Sequence, residues 1–170
     1  MHKPAFHPKE EERLNIVKAL NILDTKPEER FDKITSMAID KLRVPISTIT
    51  ILDRKREWFK SYKGIRHTES PRDVSFCGHA LLASDIFVIE DTIEDGRFDD
   101  NPQPKAHQTI RFYAVINLKH KQSGLPVGVF CIKDFKPHRL NKDEISTFLE
   151  LAKEAEYQLN KENKLHSKDK

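Results

Sequence analysis

Cys77 and His79 lie two residues apart in DVSFCGHALLASDIFVIED, residues 73–91, with an acidic cluster just beyond them. A thiolate nucleophile needs an imidazole within hydrogen-bond reach of its sulfur. On a helix, residues two apart point roughly 200° away from each other, so this pair meets only where the helix has not begun. Cys77, Ala80 and Leu81 instead share one side, the spacing of a buried stripe. The pattern favours a structural or pocket-lining cysteine, since free Cys is among the most buried residue types.

Other chemistries meet similar objections. Cys77, His79, His107 and Cys131 can be written as a zinc set, but none has the short paired spacing of a structural site. Asp91, Glu94, Asp95, Asp99 and Asp100 resemble a calcium loop, yet Ile93 and Pro102 fall where oxygen ligands are required. A solvated loop whose side chains set its own turns accounts for the run. The five glycines form no phosphate-cradling loop, and no GxSxG or HExxH string occurs. Neither metal nor cofactor is expected, and no catalytic residue is assigned. The aromatics Trp58, Phe59, Phe76, Phe98, Phe112 and Tyr113 fall at element ends or beside loops, where some are core and others line a cavity. Arg111, at the mouth of such a cavity, suits bidentate pairing with a carboxylate, either Asp73 or that of an acidic ligand; Asp73, latching its loop, is the favoured partner.

The bulk numbers bound the answer. A chain of 170 residues suits one domain. Its 30 Lys and Arg against 27 Asp and Glu are interspersed, without the one-sided basic footprint of nucleic-acid binding. Two cysteines far apart make no disulfide framework. The N-terminus lacks the apolar core of a secretory signal, and no apolar run reaches the ~18 residues that cross a bilayer. A cytoplasmic protein without membrane or nucleic-acid partners is expected.

The elements that must position these residues follow from periodicity. Ile16, Val17, Leu20 and Leu23 form a helical stripe over residues 10–23. A second helix carries Phe31, Ile34, Ala38 and Leu42, with Thr25 and Glu28 at capping-box spacing. ISTITILD reads as an interior strand, and REWFKSYKG as a strand with one wet side, the two joined by a hairpin at Asp53–Arg56. TESPRD reads as loop. A short helix follows residue 75, then the strand IFVIED, a polar loop, and the strands RFYAVINL and LPVGVFCIKD turning at Ser123–Gly124. The closing helix is capped by Asn141 with Glu144, and its stripe is Ile145, Phe148, Leu149, Ala152, Ala155 and Leu159. Short turns between strands imply an α+β fold with a largely antiparallel sheet. The N- and C-terminal helices cover one face, leaving the short helix and loops to roof the other, where a small-molecule pocket forms.

In order, LDTKPEERFDKIT, VPISTITILD, REWFKSYKG, SPRDVSFCGHAL, VIEDTIEDGRFDDNP, IRFYAVINL and GVFCIKD resemble a GAF domain, in particular the bacterial sensory subgroup found in front of histidine kinases and diguanylate cyclases. The resemblance runs from about residue 10 to residue 157. It divides the chain into a tail at 1–9, a GAF-like domain at 10–160 and a polar tail at 161–170. It implies about five or six antiparallel strands, with helices on one face and a ligand cavity under the other. It places Phe76, Cys77, His79, Asp91, Phe98, Asn101, Arg111, Phe112 and Tyr113 near that cavity, beside Trp58 and Phe59 from the patterning.

The function so implied is a sensory module that binds an unidentified small molecule, dimerises through its terminal helices and has no catalytic output of its own. Val115 stands where the subgroup usually has glycine, which narrows the cavity. No output segment follows the closing helix, so a separate signalling partner is expected. The enzymatic alternative is a free methionine-(R)-sulfoxide reductase using Cys77. Its second thiol is missing near KAHQTI, and Cys131, inside an apolar strand, is a poor substitute. A ligand-free interaction module is the remaining alternative. Bilin attachment at Cys77 and cyclic-nucleotide binding have little specific support.

Overall fold

The computed structural model describes residues 4–82, 86–96 and 110–161. Helices α1 (Glu10–Ala19) and α2 (Glu29–Leu42) precede the hairpin of β1 (Ile46–Leu52) and β2 (Arg56–Lys63). A short strand β3 (Glu69–Pro71), a 3₁₀ turn and the one-turn helix α3 (Phe76–Ala80) follow. Strands β4 (Ile86–Ile89), β5 (Phe112–Lys119) and β6 (Pro126–Asp134) lead into α4 (Lys142–Asn160). The six strands form one sheet in the order β3-β2-β1-β6-β5-β4, every pairing antiparallel. The α+β architecture is as expected.

Alternation along the strands splits the core into two layers. Ile49 and Ile51 of β1, Trp58 of β2, Phe112 and Ala114 of β5, and Phe130 and Ile132 of β6 pack under the terminal helices, against residues such as Phe31, Phe148 and Ala155. Ile46 and Leu52, with Tyr113, Val115, Val129 and Cys131, face the other way and meet Phe76, Cys77 and Ala80 of α3. Tertiary packing shifts several details. α1 ends early, with Asn21 and Asp24 in the left-handed region. Thr25 does not cap α2: its hydroxyl donates to the Ile22 carbonyl at 2.5 Å and accepts from Lys60 Nζ at 2.8 Å. Lys60 reaches the helix face of β2, where Glu28 pairs with it at 2.8 Å, so β2 has no wet side. TESPRD contributes β3, an edge strand paired with Arg56–Trp58. The α4 stripe keeps Phe148, Ala152, Ala155 and Leu159, but Leu151 joins the helix-side core while Leu149 is exposed and Ile145 half-buried. The Asn141–Glu144 capping box is present as expected.

Candidate functional site

A cavity of about 420 Å³ opens on the loop side of the sheet. Its floor includes Ile46, Glu57, Phe59 and Lys133, and its walls come from Phe76, Ile110, Phe135 and the 64–75 segment. Register explains the floor. Glu57 and Phe59 alternate with Trp58, and Lys133 lies two residues from Cys131 on the same face of β6. The roof is fixed by Ser75, whose Oγ accepts from Gly78 N at 2.8 Å and starts α3 beside the rim. His67 meets the Phe59 ring edge-on, with centroids 5.5 Å apart.

Of the expected site residues, Phe59 and Phe76 line this cavity. Trp58 and Phe112 do not. Each is the neighbour of a cavity-side residue, so strand alternation sends it into the helix-side core. Cys77 and Tyr113 lie in the packed layer beside the cavity rather than on its lining. Tyr113 stacks obliquely on Phe76 and donates its hydroxyl to Cys77 Sγ at 2.9 Å. Cys131, whose sulfur contacts Thr48 Oγ1 at 2.7 Å, lies in the same packed layer as Cys77. Among the described residues no imidazole is a partner of Cys77, and His79 is half-buried outside the lining. Burial pushes the Cys77 thiol up, and it raises the Tyr113 phenol as well. Burial also acts to raise Cys131, but Cys77, Lys133 and Thr48 together outweigh it and bring that thiol down to about 7.

Arg111 forms its bidentate pair with Asp91, at 2.8 Å for both contacts, and not with Asp73. The physical reason is local. Thr92 N bonds the Arg111 carbonyl at 2.7 Å and Thr92 Oγ1 the Ile110 carbonyl at 2.6 Å, which lays the post-β4 segment alongside Arg111. The pair closes the edge of the cavity near Ile110 without lining it. Phe98, Asn101 and His107 lie outside the described residues. Among the described residues no three His, Cys, Asp or Glu gather as a metal site, and no helix is long and apolar enough to cross a membrane.

Glu57 and Lys133 are the functional candidates that motif reasoning passed over. Glu57 is 4% exposed, and its Oε2 has no hydrogen-bond partner among the described residues. The Lys133 ammonium sits 5.5 Å from the Tyr113 ring centroid and 6.0 Å from that of Phe76. Burial acts to lower the Lys133 pKa, but Cys131, Cys77 and Glu57 outweigh it, so the group is held above its ordinary value and stays charged. Lys133, following the apolar run of β6, is a visible departure, whereas Glu57 is one of four charged residues in β2 and is not singled out by the sequence.

No family model matches the chain. Over 137 residues, 81% of its length, the chain is 35% identical to a cyclic di-GMP phosphodiesterase of Pseudomonas aeruginosa, and it spans only 23% of that protein. It superposes on the GAF domain of an Acinetobacter phosphoenolpyruvate-protein phosphotransferase with a TM-score of 0.61 and 15% identity, over 91% of this chain and 94% of that one. The chain has a GAF fold. The same GAF fold occurs in a domain from Sinorhizobium meliloti described as part of a two-component sensor histidine kinase (TM-score 0.62, 13% identity, 84% of this chain and 97% of that one). It occurs too in the type II free methionine-R-sulfoxide reductase of Thermoplasma acidophilum (TM-score 0.61, 13% identity, 86% and 94%). In all three cases the likeness covers most of both chains.

Proposed function

We propose that this chain is a sensory GAF module that binds a small molecule in the cavity above Glu57 and Lys133, and transmits occupancy by dimerisation or by docking to a partner. The cavity carries this reading. It is of ligand size, largely apolar, and supplied with a few fixed polar groups. Lys133 and Phe135 border it at the end of β6, and the chain continues from there into α4. Asp134 stabilises that exit: its side chain contacts His138, and its carbonyl accepts from Arg111 N at 2.8 Å. A guest against Lys133 therefore bears on the segment that sets α4, the helix expected at a dimer interface. The relative from Pseudomonas aeruginosa supports an input role in cyclic di-GMP turnover, within one polypeptide or between two.

Thermal-shift screening of nucleotides, amino acids and heterocycles tests the ligand reading, because a molecule that binds only the native state raises its stability. No shift with any compound would defeat it. Light scattering after size exclusion tests dimerisation; a single species at the 19.8 kDa chain mass at micromolar concentration would exclude an obligate dimer.

A second reading, free methionine-sulfoxide reduction, is favoured by one observation: Cys131 shares a packed layer with Cys77, so a second thiol lies in the same part of the core. Attack by one thiolate on the sulfoxide sulfur would release methionine and leave a sulfenic acid. The other thiol would close a disulfide with loss of water, and an added dithiol would reduce it. Both sulfurs are wholly buried and neither lines the cavity, which ranks this reading second. Methionine formation from free methionine sulfoxide with dithiothreitol, abolished by Cys77→Ser, would reverse the order.

A further inference from the structure

Two opposite charges face one hollow without meeting. Glu57 rises from β2 and Lys133 from β6, with β1 between them. They form no ion pair with each other, and Glu57 Oε2 is left without a partner among the described residues. A buried oxygen without a hydrogen bond is costly, and its persistence in a folded chain calls for an explanation. Arg13 Nη1 and Ser47 Oγ are also buried without a hydrogen-bond partner among the described residues, but neither residue lines the cavity. Lys60, on the opposite face of β2 from Glu57, is satisfied by Glu28, Thr25 and the Lys26 carbonyl. Lys133, by contrast, makes no side-chain hydrogen bond or ion pair among the described residues and lies over the aromatic faces of Phe76 and Tyr113. Ring faces attract a cation yet leave its N–H donors unused.

We infer that the cavity takes an amphoteric small molecule, with an amine donating to Glu57 and a carboxylate accepting from Lys133, and a ring or apolar body lying among Phe59, Phe76 and Phe135. This deepens the ligand-binding reading above and rests on it. A zwitterion satisfies both protein charges at once. A purely anionic guest leaves the buried Glu57 unpaired, a purely cationic one leaves the half-buried Lys133 unpaired, and a neutral one leaves both, the cost being steepest at Glu57. The walls add the apolar contact that a bare amine and carboxylate cannot use, and the 420 Å³ hollow accommodates a ring-bearing amino acid.

Isothermal titration of the full chain decides the matter with four probes: L-phenylalanine, the longer zwitterion 4-(aminomethyl)benzoate, phenethylamine and 3-phenylpropionate. At least one zwitterion is expected to bind about tenfold or more tighter than either singly charged analogue. Glu57→Gln, which keeps the side-chain shape, is expected to weaken zwitterion and amine about tenfold while leaving phenylpropionate unchanged. Lys133→Gln should do the converse, and circular dichroism checks that both variants fold. Equal binding of single-charge probes, indifference to both substitutions, or thermal-shift hits confined to neutral heterocycles would overturn the amphoteric class while leaving the cavity as a ligand site. Silence from these probes and from the whole thermal-shift library would instead remove the ligand-binding reading itself.

Discussion

Tyr113 donates its hydroxyl hydrogen to Cys77 across the gap between β5 and α3, at 2.9 Å. The bond supplies no base to the sulfur, and it ties the roof helix to the sheet. Burial keeps Cys77 a thiol, while Cys131, beside Thr48 and within the field of Lys133, is the sulfur whose ionisation is favoured.

The expected consequence is one thiolate step near pH 7 in the ultraviolet titration of the native protein. The step belongs to Cys131, so Cys131→Ser abolishes it and Lys133→Gln moves it to higher pH. The sign for stability follows from linkage. The folded value lies below the ordinary 9.0, so this group's contribution is present above pH 9 and is lost as pH falls through about 7. A step that survives Cys131→Ser would contradict the assignment.

Arg111→Ala should free the segment after β4. Hydrogen bonding to Arg111 holds the Asp91 carboxyl below its usual range, although burial acts slightly against it. The contribution of the pair is therefore present above the ordinary carboxylate value and fades as pH falls below it. Limited proteolysis of Arg111→Ala at neutral pH is expected to cut near residues 91–96 several-fold faster than wild type. Unchanged cleavage would mean that Thr92 alone secures the loop.

Glu10 serves two arginines. Arg13, wholly buried, forms contacts of 2.9 and 3.0 Å with it, and Arg72 approaches from the turn before α3 at 2.5 Å. Burial raises the Glu10 pKa, but the hydrogen bonds from Arg13 and Arg72 outweigh it and lower the group to about 2. Glu10→Gln leaves a buried guanidinium without its counter-charge and should cost about 3 kcal/mol at pH 7 in urea unfolding. The native pairing is present above pH 4.5 and lost as pH falls through about 2, so wild type and variant should converge over that interval. A difference that persists at pH 2 would show that shape, not charge, is what Glu10 supplies.

These sites differ in how plainly the sequence announces them. The layers of the fold were legible because β-branched runs and helical stripes each obey one period, as Phe31, Ile34, Ala38 and Leu42 do without exception. Faces were harder where large side chains occupy adjacent positions. In Trp58–Phe59 and Phe112–Tyr113 both members are aromatic, and only the register of β1 and β6 decides which one meets the cavity. The Arg111 partner was misassigned because Asp73 and Asp91 have the same chemistry, and the choice lies in backbone bonds made by Thr92. Glu57 and Lys133 were passed over because their meaning arises from what they lack, and a missing hydrogen bond has no sequence signature.

Gly64 sits on the cavity wall with φ +83°, and a Cβ there would lie 2.0 Å from the Pro45 carbonyl oxygen. Two penalties coincide: a left-handed backbone that L side chains rarely adopt, and a collision with main chain that cannot rotate away. Gly124, at φ +73°, bears only the first, since nothing lies within 4 Å of its Cβ position. Gly124→Ala should therefore cost about 1 kcal/mol, and Gly64→Ala at least about 2 kcal/mol more, in urea unfolding. Relief of the clash requires the end of β2 to move away from Pro45, which displaces Ile46 at the cavity floor and Ile65 in its wall. Gly64→Ala should accordingly lose ligand-induced thermal stabilisation even where it remains folded, while Gly124→Ala keeps it. Equal losses of stability in the two variants would show that backbone conformation, and not the approach of Pro45, is what fixes glycine at the cavity wall.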